Sequence, residues 1–362
     1  MHDITSIFFL FKLIQYIIEV YMRPILCSFS ILTNVFTLLA IKNKDKNQAK
    51  HFKTPMYKHV TLNVCLNILF CMVNLLSLMN ICIFPKSSFC SQVLKYETTQ
   101  IIKIYLILFA GNVLRLSCNF SYITFSISRF ISATSQKNRL KEINERLNFK
   151  LFYGIVLVTS GALSIFKVFE NKINEIYSSY DKRFPYNAYD IRYCRELIKE
   201  FDEADTWLTF KCKLFSILNI INNVLNNVLF LVINLLLDFF MIRFSSKLIE
   251  KKRSLNCPHL SDAVKLKEKL NKMIITNGTL FFVAHFPEFL VTILLIIYEV
   301  KLEIFCRNYF TCSDLIEMAQ VFHLFSIGLQ FFILHHFDRN ISESFANKMS
   351  VLLYKKKNST LS

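Results

Sequence analysis

The chain has 362 residues, 53% of them hydrophobic and 37 of them Phe, with 19% charged and a mean hydropathy of +0.38. That profile excludes a disordered chain and an ordinary soluble domain. The formal net charge of +17 raises nucleic acid as a partner, but the placement of the charge points to a membrane surface instead.

Apolar runs follow one another from end to end. No charged residue lies between Arg23 and Lys42, Lys58 and Lys86, Lys150 and Lys167, Lys213 and Asp238, or Glu317 and Asp338. Two further runs, 104–128 and 273–298, carry a single charge each, Arg115 and Glu288. A helix needs about 20 apolar residues to cross the hydrocarbon. Backbone groups in lipid must be satisfied internally, so only helices or a closed barrel can span it. Barrel strands alternate over about ten residues; these runs are longer and continuously apolar, so they predict helices.

In chain order the predicted helices cover 14–41, 57–84, 103–130, 150–168, 210–243, 270–298 and 314–337. The fold class is therefore an all-α membrane protein, a seven-transmembrane helix bundle. Residues 1–13 are expected as a short extracellular N-terminus without a cleavable signal, since ITSIFFLF lacks a basic flank and a small-residue cleavage site. Residues 14–338 form the bundle. Residues 339–362 form an amphipathic helix, with Ile341, Phe345 and Met349 on one face, and a basic cytoplasmic tail ending in Lys355–Lys357.

Charge sets the orientation. With the N-terminus outside, the inner segments 42–59, 129–150, 243–272 and 338–362 hold 26 Lys and Arg, against 12 on the outer side. The outer loop 169–206 offsets its six basic residues with nine acidic ones. The positive-inside rule then places the C-terminus in the cytoplasm, with the plasma membrane as the expected location. The long outer loop 169–206 and the Lys-rich inner loop 244–270 are the asymmetry of a receptor. A transporter more often shows repeat symmetry and broken helices, and five glycines, none adjacent, offer little for those.

Polar residues inside the runs carry the chemistry. A charge at mid-membrane costs about 2.5–3.5 kcal/mol, so Arg115 must face the bundle and find a partner. Glu288, one residue after Pro287, is the candidate; the pair either only joins two helices or also anchors a ligand. In the fifth helix Asn219, Asn222, Asn223, Asn226, Asn227, Asn234 and Asp238 share one side. They serve interhelical hydrogen bonding or a hydrated pocket wall. His285 and His323 are either packed, hydrogen-bonded residues or a pH-sensing or metal-binding pair. The eleven Cys lie mostly within helices as small apolar fillers. Cys306 and Cys312 enclose five residues of the third outer loop and could close a small ring.

The motifs, taken in order, resemble those of the rhodopsin-like (class A) G-protein-coupled receptors. Leu32-Thr33-Asn34-Val35 is similar to the family's Gly-Asn pair, and Thr54-Pro55 to its second-helix start, which puts Asn67 where Asp is usual. Ser128-Arg129-Phe130 keeps the Arg of Asp-Arg-Tyr. Phe281 to Pro287 is similar to Phe…Cys-Trp-x-Pro, with His285 for Trp. Gln330 to Leu334 stands where Asn-Pro-x-x-Tyr is usual, and Phe337, Ile341 and Phe345 follow at eighth-helix spacing. Within the family the chain looks most like divergent invertebrate orphan receptors of peptide or chemosensory type.

The resemblance implies a set of roles. Gly111, Arg115, His285, Glu288, Gln320 and His323 would line the ligand cavity, with Asn112 beside them and Asn219 and Asn223 as the fifth-helix wall. Gly111 replaces the aminergic Asp, so a peptide or small chemosensory molecule is expected and a biogenic amine is not. Arg129 would meet a heterotrimeric G protein, helped by Lys247, Lys251, Lys252 and Arg253. Asn34, Asn67, Phe281, Pro287, Gln330 and Leu334 would be switch residues. Neutral Asn67 is a poor sodium ligand. Ser128 cannot hold Arg129, so the resting lock is expected to be loose. Cys90 and Cys194 resemble the family disulfide, although the insertion Lys95–Gln100 must be absorbed and Cys82 could compete. Enzyme motifs are absent: no phosphate-binding glycine loop, His-Glu-x-x-His or Gly-x-Ser-x-Gly occurs, and no cofactor is implied. The alternative class is a transporter or channel gated by Arg115 and Glu288.

Overall fold

The computed structural model describes residues 2–42, 52, 54–83, 89–91, 93, 96–133, 149–176, 188–193, 206–254, 260–299 and 311–359. Seven helices are long and apolar enough to cross a membrane: α1 (Phe9–Ile41), α2 (Pro55–Asn80), α3 (Glu97–Ser128), α4 (Leu151–Glu170), α5 (Lys213–Phe244), α6 (Asn271–Leu294) and α7 (Glu317–Phe337). An eighth, α8 (Arg339–Ser359), follows at once. The chain is a multi-pass, all-α seven-helix bundle.

The helices form where the sequence permits nothing else. Thr54 is extended, with φ −66° and ψ 152°, and Pro55 opens α2; a proline disfavours helical backbone in the residue before it and is tolerated in the first turn. Neighbours pack in a ring, with α1 against α2 and α7, α2 against α3, and α5 against α6, which packs on α7. Helix α3 also touches α4 and α5. The burial is inverted relative to a soluble protein. Ile25, Leu151 and Val158 point outward, whereas Asn34, Asn67, Asn119 and Asn227 are buried. Lipid is as apolar as a leucine side chain, so polar residues gain more from the interior than apolar ones do.

Several boundaries differ from the expected ones. The chain is helical from His2, and that helix continues through a π-helical turn, Ile17–Met22, within α1. Helix α6 lies in one helix, Leu260–Glu299, and α5 continues to Ser254. Most of the loop 244–270 is therefore helical, because its Lys- and Glu-rich sequence suits a solvated helix. The loop 169–206 holds an antiparallel hairpin, β1 (Asn171–Ile176) and β2 (Ala188–Tyr193), with Asn171 opposite Tyr193.

The disulfide is a correction. Cys90 is bonded to Cys82, not to Cys194. After α2 the chain folds straight back: Ser91 N–H donates to Ile81 O at 3.0 Å and Ser91 Oγ to Met79 O at 2.6 Å. That return brings Cys90 to its near neighbour rather than to the second outer loop. Cys194 and Cys306 lie outside the described residues, as does the side chain of Cys312.

Helix α8 is held at a sharp elbow. The Asp338 carboxylate accepts from the backbone N–H of Asn340 and Ile341, capping α8, and from Tyr57 Oη of α2 at 2.7 Å. Farther along, Ser344 Oγ donates to Ala40 O, and Lys348 Nζ donates to Leu39 O and Lys42 O at the C-terminus of α1. Burial, then the nearby Lys42, lowers the Lys348 pKa below the ordinary lysine value. Asp338→Ala should weaken the cap by about 1 kcal/mol; faster amide exchange confined to the first turn of α8 is the expected readout.

Four Asn-x-Ser/Thr sites occur, at Asn119, Asn277, Asn340 and Asn358. Asn119 and Asn277 are buried inside α3 and α6. No glycan is expected on the chain from eukaryotic cells; a mobility shift on glycosidase treatment would contradict the orientation read from charge.

Candidate functional site

The two charges that interrupt the apolar runs meet at the centre of the bundle. Arg115 Nη2 of α3 lies 2.5 Å from Glu288 Oε2 of α6, and Glu288 is fully buried. Arg115 Nη2 also donates to Asn227 Oδ1 of α5 at 2.6 Å. Asn227 in turn donates to Thr292 Oγ1 of α6 at 2.8 Å. One guanidinium thus ties three helices, and each link offsets part of the cost of holding charge in lipid.

Helix α5 makes this possible with a π-helical turn, Val224–Leu229. The family resemblance associates a bulge here with a proline that this sequence lacks; the bulge is present without it. An extra residue in one turn changes how successive side chains are aimed. Asn226 faces α3, where Asn119 donates to its Oδ1 at 3.2 Å, and Asn227 faces Arg115. Asn112 donates to Ser164 Oγ of α4 at 3.0 Å and to Asn222 Oδ1 at 3.1 Å. The amide side of α5 thus faces inward at Asn222, Asn226, Asn227 and Asn234. Interhelical hydrogen bonds are worth about 0.6 kcal/mol each, so five such bonds come to about 3 kcal/mol. That is close to the cost of placing one charge at mid-membrane.

Two histidines extend the network towards α7. His285 Nδ1 lies 3.5 Å from Glu288 Oε2, and His285 Nε2 lies 3.1 Å from His323 Nδ1. The His285 ring also packs on Phe281, with centroids 4.1 Å apart, and Phe281 stacks on Tyr122 at 4.8 Å. Below His323 is a cavity of about 40 Å³ whose walls mix polar Asn63, Asn67, Asn277 and Gln330 with apolar Leu280 and Ile327. At roughly 10–15 Å³ per water it has room for about three.

The remaining candidates are placed as follows. Asn34, Asn67 and Leu334 are buried: Asn34 donates to Ser30 O, Asn67 to Asn63 Oδ1, and Leu334 packs in the inner core with Tyr57 and Ile341. Asn219 is drawn outward, accepting from Lys167 Nζ of α4 at 2.7 Å, and so stands apart from the charged centre. Gly111, Gln320 and Asn223 lie on the helices of the bundle, and among the described residues no side-chain hydrogen bond joins them to Arg115 or Glu288. Pro287 sits inside the long helix of α6. Arg129 and Lys251–Arg253 continue the helices of α3 and α5, and Lys247 is exposed; the side chains of Arg129 and of 251–253 lie outside the described residues.

A second buried ion pair was not among the candidates. Glu19 and Arg23 of α1 are 2.8 Å apart, and Arg23 also donates to Ser77 Oγ of α2 and to Glu317 O of α7. Opposite charges at i and i+4 on the flank of the first apolar run were the available signal. His59 of α2 and Tyr153 Oη of α4, hydrogen-bonded at 2.5 Å, are a further interhelical link of this kind.

Neither a protein-family model nor a curated protein matches this sequence.

Proposed function

We propose that this chain is a receptor of the rhodopsin-like G-protein-coupled type, taking a peptide or small chemosensory ligand from outside and passing the signal to a heterotrimeric G protein. The observation that carries the reading is the Arg115–Glu288 pair, buried where α3, α5 and α6 meet and joined to α7 through two histidines. A receptor needs an element with two packings that a ligand biases unequally. An ion pair at the crossing of four helices, beside a proline in α6, has that character.

Further support comes from the motif order along the chain, from α8 lying directly after α7, and from the excess of basic residues on the expected inner side. The ligand would enter between α3, α5, α6 and α7 and act on Arg115, Glu288 or both. Arg129 at the inner end of the α3 helix would meet the G protein, with Lys247, Lys251, Lys252 and Arg253 as basic support.

Cells expressing the chain, screened with peptide and small-molecule libraries, should show a ligand-dependent change in a second messenger. Arg115→Gln should abolish that response while surface expression persists; unchanged potency would remove Arg115 from the ligand site. Solute flux in liposomes without any G protein would favour a transporter or channel gated by the same charges.

A further inference from the structure

The buried histidines have a fixed proton order that follows from their neighbours. Glu288 Oε2 already accepts from Arg115 and stands 3.5 Å from His285 Nδ1. A carboxylate at that distance favours the tautomer with its proton on His285 Nδ1. Neutral His285 then has a bare lone pair on Nε2, so His323 Nδ1, 3.1 Å away, is the donor in that contact. His323 Nε2 is left as an acceptor. It is buried, no protein group among the described residues bonds it, and its ring forms part of the cavity wall.

We propose that His285 and His323 form a proton-binding dyad: a proton taken up at His323 Nε2 from the cavity is relayed to His285, where it competes with Arg115 for Glu288. The donor is hydronium from water reaching the cavity. An O–H bond of hydronium breaks as an N–H bond forms at His323 Nε2, leaving water; the Nδ1–H bond of His323 breaks, and that proton bonds to His285 Nε2. The net change is one proton gained, with no electrons transferred. His323 ends neutral, in the opposite tautomer, and the positive charge rests on His285.

The position of that charge decides its effect. Arg115 and His285 then share one carboxylate oxygen, and the two cations repel. Glu288 and His285 lie on the same helix, three residues apart, so the new pairing holds nothing across the bundle. The contact from His285 to His323 becomes a charge-assisted N–H···N bond between α6 and α7. Proton uptake therefore moves the tie on α6 from α3 to α7.

The groups acting electrostatically on the dyad are Arg115 from α3 and Glu288 from α6. Tyr122 and Cys118 of α3 share the cavity wall, and the thiols Cys27 of α1 and Cys71 of α2 pack with Cys118 beside Leu324. Phe70 of α2, edge-on to His323, and Asn227 of α5 carry no titratable group. Among the described residues Glu288 is the acid that acts on the pair, and the charge therefore settles on the histidine beside it.

The consequence for signalling rests on the receptor reading, whereas the protonation does not, and the test reads protonation alone. The full chain, with ¹⁵N-labelled histidine and arginine side chains, is placed in lipid nanodiscs and titrated from about pH 8 to about pH 5. The expected result is one imidazolium per chain from this pair, assigned to His285 by its loss in His285→Gln. The Arg115 side-chain nitrogen resonances should shift with the same midpoint. In His323→Gln the His285 ring should stay neutral across the range. Two rings that remain neutral throughout in the unmodified chain overturn the proposal, as does unchanged titration of His285 in His323→Gln. Should that variant not fold, the unmodified titration decides by itself.

Discussion

Glu288→Leu should destabilise the bundle by about 3–5 kcal/mol, because it strands the Arg115 guanidinium in a site with no other anion among the described residues. Arg115 keeps only Asn227 as a partner in that variant, and its Nε already has no acceptor. The double variant Arg115→Met with Glu288→Leu should recover most of the loss, since apolar side chains of similar volume remove both the charge and its desolvation cost. Unfolding midpoints in nanodiscs measure all three proteins, and a double-mutant cycle extracts the coupling. Additive losses, with no recovery in the double variant, would mean that the two charges do not hold each other. The same double variant should fail to respond to ligand while remaining well folded, which separates the stability of the pair from its use.

Gly328→Val should cost about 1–3 kcal/mol through overpacking. A Cβ at Gly328 would lie 2.6 Å from two ring atoms of Phe29 and 3.1 Å from Ser30 Oγ, so α7 and α1 approach as closely as a glycine allows. Phe29 is stacked on Phe332, with centroids 6.1 Å apart, and turning it aside breaks that stack. Ser30 is committed as well, donating to Leu324 O of α7 at 2.8 Å. Gly154 and Gly161 of α4 are the controls, for a Cβ there meets nothing within 4 Å. Gly154→Ala should be neutral or stabilise by about 0.5–1 kcal/mol, as expected for a helix interior. Equal midpoints for Gly328→Val and Gly154→Ala would show that the α1–α7 seam is not tight.

Lipid explains why so much of this fold was legible. Each crossing demands a minimum apolar length, so seven runs announce seven helices. A lone Arg115 in one run and a lone Glu288 in another had to meet, because neither could face lipid. The inward amide side of α5 followed from residue spacing. Other features depend on local paths that spacing does not encode. The π-helical turn splits Asn226 and Asn227 between two partners, and nothing in NNVLNNV marks where the helix widens. The Cys82–Cys90 bond reflects a tight return of the chain after α2, whereas a reading by resemblance sent Cys90 to the second outer loop. Glu19 and Arg23 fall inside the first predicted helix, 14–41, but that they are buried against α2 and α7 depends on which side of α1 meets those helices. The contact between His285 and His323 required knowing that α6 and α7 are neighbours at that depth.

The Arg23 side chain also has mechanical meaning. It clamps α1 to Ser77 of α2 and to the Glu317 carbonyl of α7 at one end of the bundle. At the other end Tyr57, Asp338, Ser344 and Lys348 knit the same three helices together with α8. Helices α1, α2 and α7 are thus riveted at both ends, whereas the charged tie on α6 runs to α3 through one carboxylate oxygen and to α7 through a pair of imidazoles.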